Sequence, residues 1–277
     1  MPLTSLRRAA LLIAAAALFA ACGSSGGQRA DADNGAVVVE TTLPPPTTPT
    51  TPPGPPMTSC TSVVHLGDST SIGLFSPAYL PNPAERIDAQ YARVGVTTTN
   101  NQVSGARSIV EHLKGQLNAE DVATQVKATG YKGCWVLALG TTDAANIAHG
   151  SSHFEQDRID KMMTTVNGDP VLWVNVKTIK TTGDWANPNM AKFDQILEAN
   201  LDKYPNLHIY DWASVVQDAW FTSDDIHYTS AGSAQRSKLI ADALAAQMPK
   251  GGDQSNGHAT TTTDDDSGDT DSTDSGT

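Results

Sequence analysis

Ser69, Asp224 and His227 are the residues of this chain whose types and settings suit covalent chemistry. Ser69 closes the run Val63-Val64-His65-Leu66-Gly67-Asp68-Ser69, where an apolar stretch stops on a glycine, a carboxylate and a hydroxyl in succession. Gly, Asp and Ser all form turns, so the stretch reads either as a plain turn or as a nucleophile delivered at the end of a strand. Asp224 and His227 stand three apart in Thr222-Ser223-Asp224-Asp225-Ile226-His227, a spacing that lets a carboxylate reach back to an imidazole. A serine, a histidine to take its proton and a carboxylate to orient that histidine are the parts of nucleophilic acyl transfer.

These three residues need a scaffold that brings them to one edge. Short apolar runs at Val63–Leu66, Tyr91–Val96, Trp135–Leu139, Val171–Val176 and Leu207–Tyr210 read as strands. Between them, apolar residues recur at helical spacing. Ile109, Val110 and Leu113 begin one helix, and Val122 and Val126 mark another after Asn118. Ile159, Met162, Met163 and Val166 mark a third, Phe193, Ile196, Leu197 and Leu201 a fourth, and Leu239, Ile240, Ala243 and Leu244 a fifth. Continuous apolar strands alternating with helices predict an α/β fold with a five-stranded parallel sheet covered on both faces. In such sheets ligands bind beyond the C-terminal ends of the strands, which is where Ser69, the segment Gly140–Asn146 and the segment 222–233 all fall. Cys60 precedes Ser69 by nine residues and Cys134 precedes Thr142 by eight. If those two strands are neighbours in matched register, the cysteines meet at the opposite edge and a disulfide is expected.

The ends of the chain differ from this middle. Residues 1–22 carry Arg7 and Arg8, an apolar run from Ala9 to Ala21, and then Cys22. The run is short for a membrane span and reads as an export signal. Phe19-Ala20-Ala21-Cys22 resembles a bacterial lipobox, which implies lipidation at Cys22 and an anchor in the outer face of the membrane. Residues 23–59 are polar and then Pro/Thr-rich, a semi-rigid spacer that cannot bury a core of its own. Residues 60–249 form the expected folded domain, and 250–277 an acidic tail expected to be disordered. Seven of the aspartates behind the formal net charge of −12 sit in that tail, so the folded part has no basic footprint for nucleic acid. A monomer is expected.

With these residues in view, 60–249 resembles the SGNH (GDSL-type) hydrolases. Gly67-Asp68-Ser69 is similar to the family's first block, whose serine is the nucleophile. Gly105, in Val103-Ser104-Gly105-Ala106-Arg107, is similar to the second block, whose glycine N–H enters the oxyanion hole. Asp224-Asp225-Ile226-His227 is similar to the final Asp-x-x-His block, which makes Asp224 rather than Asp225 the orienting carboxylate. The resemblance implies a flavodoxin-like three-layer α/β/α sandwich, catalysis by Ser69, Asp224 and His227, and an oxyanion hole from Ser69, Gly105 and the third block. That block departs from the family: Gly140-Thr141-Thr142-Asp143 puts Thr142 where the family has Asn. A shorter hydroxyl in place of an amide implies a slower or differently tuned enzyme, with Asn146 as a substitute donor four residues on.

The function implied is an esterase or O-acyltransferase of the cell envelope acting on acylated polysaccharide or glycolipid, without cofactor or metal. A transferase would need an acyl-donor partner protein or a soluble donor. A lipase or lysophospholipase is a second reading, in which Gly73–Pro83 forms part of an acyl groove, though the same segment reads equally as Pro-rich capping. A non-catalytic surface binding module, made credible by Thr142, is a third. Gly67-Asp68-Ser69-Thr70-Ser71 is not Gly-x-Ser-x-Gly, which excludes the α/β-hydrolase elbow at this serine. His149 and His153, four apart with Asp157 beyond, have zinc-like spacing on a helix, but Gly150 and the serines favour a loop. His65 reads as a satisfied core or rim histidine rather than a catalytic one, and His112 and His208 likewise. Trp173 reads as core, whereas Trp185 and Trp220 lie near strand ends and suit a sugar face.

Overall fold

The computed structural model describes residues 56–251. The export signature with Cys22, nearly all of the Pro/Thr-rich stretch and the acidic tail lie outside them. Five strands form one sheet: β1 (Ser62–Gly67), β2 (Thr98–Val103), β3 (Cys134–Ala138), β4 (Val171–Val174) and β5 (Leu207–Tyr210). Every pairing is parallel and the order is β2-β1-β3-β4-β5. The chain steps outward from β1 in both directions, so β1 ends at the point where strand order reverses. Ligand sites of open α/β sheets occupy that point.

Eight helices cover the sheet: α1 (Ile72–Phe75), α2 (Ile87–Arg93), α3 (Ala119–Ala128), α4 (Thr141–Ala148), α5 (Glu155–Val166), α6 (Asn187–Glu198), α7 (Trp212–Val215) and α8 (Ser230–Gln247). Alternation along the strands divides the core in two. Val64, Leu66, Trp135, Leu137 and Trp173 face α3, α5 and α6, while Val63, Val136, Ala138, Leu172 and Val174 face α1, α2 and α8. Both faces are therefore apolar, and the result is the three-layer sandwich expected.

Two expectations are corrected. Tyr91–Val96 is not a strand. Ile87, Tyr91 and Val94 fall at helical spacing and are fully buried, so α2 takes this segment and the second strand is Thr98–Val103. The sequence Thr-Thr-Asn-Asn-Gln-Val hides that strand because β2 is an edge with half its surface open to water, and no apolar run is needed there. Ile109, Val110 and Leu113 do not begin a helix: only Ile109 is fully buried, Leu113 is 49% exposed, and the segment is a loop held by side chains. The segment Gly140–Asn146 does follow the end of β3, and α4 begins within it at Thr141.

The folded part also begins earlier than residue 60. Thr58 is buried, pairs with Pro249 and donates from Oγ1 to the Met248 carbonyl at 2.9 Å. Cys60 and Cys134 are bridged with their Cα atoms 5.7 Å apart, at the edge opposite Ser69. β1 and β3 are neighbours, as the bridge required, but the register pairs Val63 with Cys134, so Cys60 lies three residues ahead of the position opposite its partner.

Candidate active site

Ser69 owes its position to its two neighbours. A Cβ on Gly67 would stand 2.6 Å from Ser71 Oγ, so only glycine lets the chain close this tightly at the end of β1. Asp68 caps the single 3-10 turn Ser69–Ser71, its Oδ1 accepting from the Thr70 N–H at 2.9 Å and from Thr70 Oγ1 at 2.7 Å. Asp68 is wholly buried, and burial raises its pKa against the pull of Thr70 and of the more distant Arg236. The Thr142 N–H is near enough to lower the Asp68 pKa, although no partner meets Oδ2 with hydrogen-bond geometry. Ser69 itself remains partly exposed.

The opposite part of the site is the loop ahead of α8. Asp225 adopts a left-handed conformation (φ 64°), which turns the chain back on itself. Asp224 Oδ1 then accepts from the N–H groups of Ile226 and His227 at 3.0 and 2.9 Å and from Thr222 Oγ1 at 2.7 Å. Its Oδ2 lies 2.6 Å from His227 Nδ1, and His227 Nε2 lies 2.8 Å from Ser69 Oγ. Partial burial works against the Asp224 charge, but the imidazole and the three other donors outweigh it and hold the carboxyl well below the usual range. The structure thus brings Ser69, His227 and Asp224 into one chain of contacts, with Asp225 outside it.

Behind His227, Tyr228 is buried and its hydroxyl accepts from Trp212 Nε1 at 2.7 Å. The Arg236 guanidinium lies 4.7 Å from the Trp212 ring and 5.1 Å from the Tyr228 ring. This stack fixes the root of the histidine loop to α8. Trp220 stacks on Trp212 at 5.9 Å and is half-buried, as is Trp185. Trp173 lies in the core and donates to the Leu139 carbonyl.

Gly105 follows Ser104, whose N–H donates to the Gly67 carbonyl at 3.2 Å, so the Gly105 loop leaves β2 beside the end of β1. A Cβ at 105 would meet only Ile72 Cδ1, at 3.9 Å. Thr142 lies in the first turn of α4, but its hydroxyl is sealed from solvent and has no partner. In this arrangement it is not presented to an incoming carbonyl. Asn146 is committed elsewhere, donating to Glu111 Oε2 at 3.0 Å.

Sequence reasoning missed two groups. Arg158, with its side chain fully buried, donates from Nη1 to Glu111 Oε2 at 2.6 Å and to Asp143 Oδ1 at 2.7 Å, and from Nη2 to Glu111 Oε1. Asp143 Oδ1 also accepts the Ile109 N–H at 2.8 Å, tying the loop after Gly105 to α4. The available signal was a charge on the apolar face of α5, three residues after Glu155 and four before Met162. The second group is Gly73, Tyr79 and Ser233, which wall a cavity of about 20 Å³ beside Ser69 and His227. Nothing local in the sequence marks it.

The other histidines have ordinary surroundings. His65 is buried, with Nδ1 2.8 Å from Tyr91 Oη and Nε2 3.2 Å from Ser71 Oγ; burial, helped by the Arg236 charge, pushes it down to about 3 and keeps it neutral. His149 is exposed against Asp184, and His153 lies in the loop before α5. Among the described residues no three His, Cys, Asp or Glu side chains gather as metal ligands. A larger groove of about 470 Å³, lined by Arg86, Asp88, Thr97 and Thr99 among others, lies between α2 and β2 and holds no nucleophile–base pair.

The fold is a three-layer α/β/α sandwich that carries a Ser69–His227–Asp224 contact chain beyond the C-terminal ends of its strands. The chain's likeness to solved structures is in the fold: a lipase/acylhydrolase from Enterococcus faecalis superposes with a TM-score of 0.51 at 14% identity, covering 68% of this chain and 97% of that one. A Bacteroides fragilis protein assigned as an acylhydrolase gives 0.51 at 17% identity, covering 71% and 91%. No protein-family model and no curated protein sequence matches the chain.

Proposed function

We propose that this chain is a serine esterase or O-acyltransferase of the cell envelope, acting on acyl esters of cell-wall polysaccharide or glycolipid through an acyl-enzyme. The observation that carries the reading is the contact chain from Asp224 through His227 to Ser69, at 2.6 and 2.8 Å. His227 takes the Ser69 proton as Oγ attacks the ester carbonyl, and Asp224 orients the imidazole and stabilises its cation. The Ser69 and Gly105 N–H groups receive the oxyanion. His227 then protonates the leaving alcohol, and water or an acceptor hydroxyl takes the acyl group in the second half of the cycle. This chemistry uses protein groups alone.

The envelope setting rests on the export signature, on Cys22 as the lipid-bearing residue and on the spacer that follows. A transferase reaction would draw its acyl group from a donor partner. A lipase reading has one observation in its favour: Ile72 and Tyr79, at 39% and 42% exposure, present apolar surface next to Ser69. The test is nitrophenol release from acetyl, butyryl and octanoyl esters by the full chain and by Ser69→Ala. Turnover lost in the variant with an acetyl preference supports the polysaccharide reading. An octanoyl preference supports the lipase, and equal background rates in both proteins overturn the esterase reading.

A further inference from the structure

We propose that the cavity beside Ser69 and His227 seats the water that ends the catalytic cycle, and that the Ser233 hydroxyl holds it there. The inference rests on the esterase reading and makes hydrolysis, rather than transfer, the default outcome.

The cavity measures about 20 Å³. One water needs roughly 10–15 Å³ and two to four polar partners. The Ser69 hydroxyl and the His227 imidazole form one side. Of the other polar walls, Thr70 Oγ1 already donates to Asp68 and the Tyr228 hydroxyl already accepts from Trp212. Ser233 is different. Its residue is 2% exposed, it lines the cavity, and its hydroxyl makes no hydrogen bond among the described residues. A hydroxyl with no protein partner at the wall of a water-sized space is free to hold a water.

Gly73 keeps the space open. A Cβ there would stand 2.7 Å from Ser233 Oγ and 3.2 Å from Tyr79 Cδ1. Tyr79 also lines the cavity, whose volume leaves no room for an acceptor larger than water, so such an acceptor must approach from outside it.

In the acyl-enzyme the Ser69 Oγ carries the acyl group and His227 Nε2 is free to accept a proton. The water gives that proton to Nε2 as its oxygen bonds to the acyl carbonyl carbon. The tetrahedral adduct collapses, the Ser69 Oγ–carbon bond breaks, and Nε2 returns the proton to Oγ. A carboxylic acid leaves and the serine is restored.

The test follows the acetyl adduct on the full chain by intact mass after acid quench, during a single turnover of p-nitrophenyl acetate, with and without glycerol as competing acceptor. In Ser233→Ala the adduct should form at the wild-type rate and decay about three- to tenfold more slowly, the loss expected for one hydrogen bond. The share of acetyl passed to glycerol should rise. Gly73→Ala combined with Ser233→Ala places a methyl in the space and should move both readouts further in the same direction. Wild-type decay in Ser233→Ala, or formation and decay slowed together, overturns the water seat. A wild-type chain that forms no Ser69 adduct overturns the esterase reading, and the water seat with it.

Discussion

Asp224 holds four donors on its two oxygens while nearly half of its side chain faces solvent. It shapes the histidine loop as well as orienting the imidazole. Asp224→Asn should therefore lower kcat by about 10⁴, as loss of the correct tautomer does elsewhere, with little change in KM. Steady-state kinetics beside circular dichroism check this; a fall in helical signal would show that the loop fold, not the tautomer, was lost. Thr142 gives the opposite expectation. Its hydroxyl is already unpartnered and sealed, so Thr142→Val should leave kcat within about threefold. A drop of about 10²–10³ would instead make it an oxyanion donor that turns outward on binding.

At the scale of elements, the loop that carries Gly105 is held by an ion network rather than by a strand. Glu111, Asp143 and Arg158 join the loop after Gly105 to α4 and α5. Burial opposes the Glu111 charge, but Arg158, Ser108 and Ser151 hold its carboxyl well below the usual range. Removing Arg158 alone leaves Asp143 buried without its cation. Arg158→Met should cost about 3–5 kcal/mol in urea unfolding, whereas Arg158→Met with Asp143→Asn and Glu111→Gln should recover much of that loss. Equal losses in the single and triple variants would show that the network contributes packing only.

For the whole molecule, the Cys60–Cys134 bridge closes a loop across 74 residues and ties the start of β1 to β3. Replacing both cysteines by serine should cost about 2–5 kcal/mol, read as a lower melting temperature that reductant reproduces in the wild type. Asp194 acts on stability in a pH-dependent way. Burial, against the pull of the Val176 N–H, pushes its carboxyl up to about 8 from an ordinary 3.8. The unfolded chain releases this proton above pH 3.8 while the native protein keeps it to about 8, so stability falls with rising pH across that window. Asp194→Asn keeps an acceptor for Val176 and removes the penalty. Its melting temperature should exceed the wild type's at pH 8 and converge with it near pH 4; a constant offset would point to packing instead.

The sequence by itself determined the parallel α/β/α architecture, because strands buried on both faces must be apolar throughout and their helices must carry a 3.6-residue stripe. It also singled out Ser69, Asp224 and His227, whose local turns are written in the glycine and acidic residues around them, and the cysteine pair, which sits at the leading ends of two strands that prove to be neighbours. It did not show β2, since an edge strand half in water has no apolar signature, and it assigned Tyr91 to a strand although its partners Ile87 and Val94 are helical. Only the tertiary structure decided that Thr142 is turned inward, that Asn146 serves Glu111, and that Arg158 reaches both Glu111 and Asp143. Only it placed Ser233 against Gly73 and Tyr79 beside the nucleophile. These arrangements join residues distant in the chain, and no local periodicity or turn preference encodes which distant side chain fills a given space.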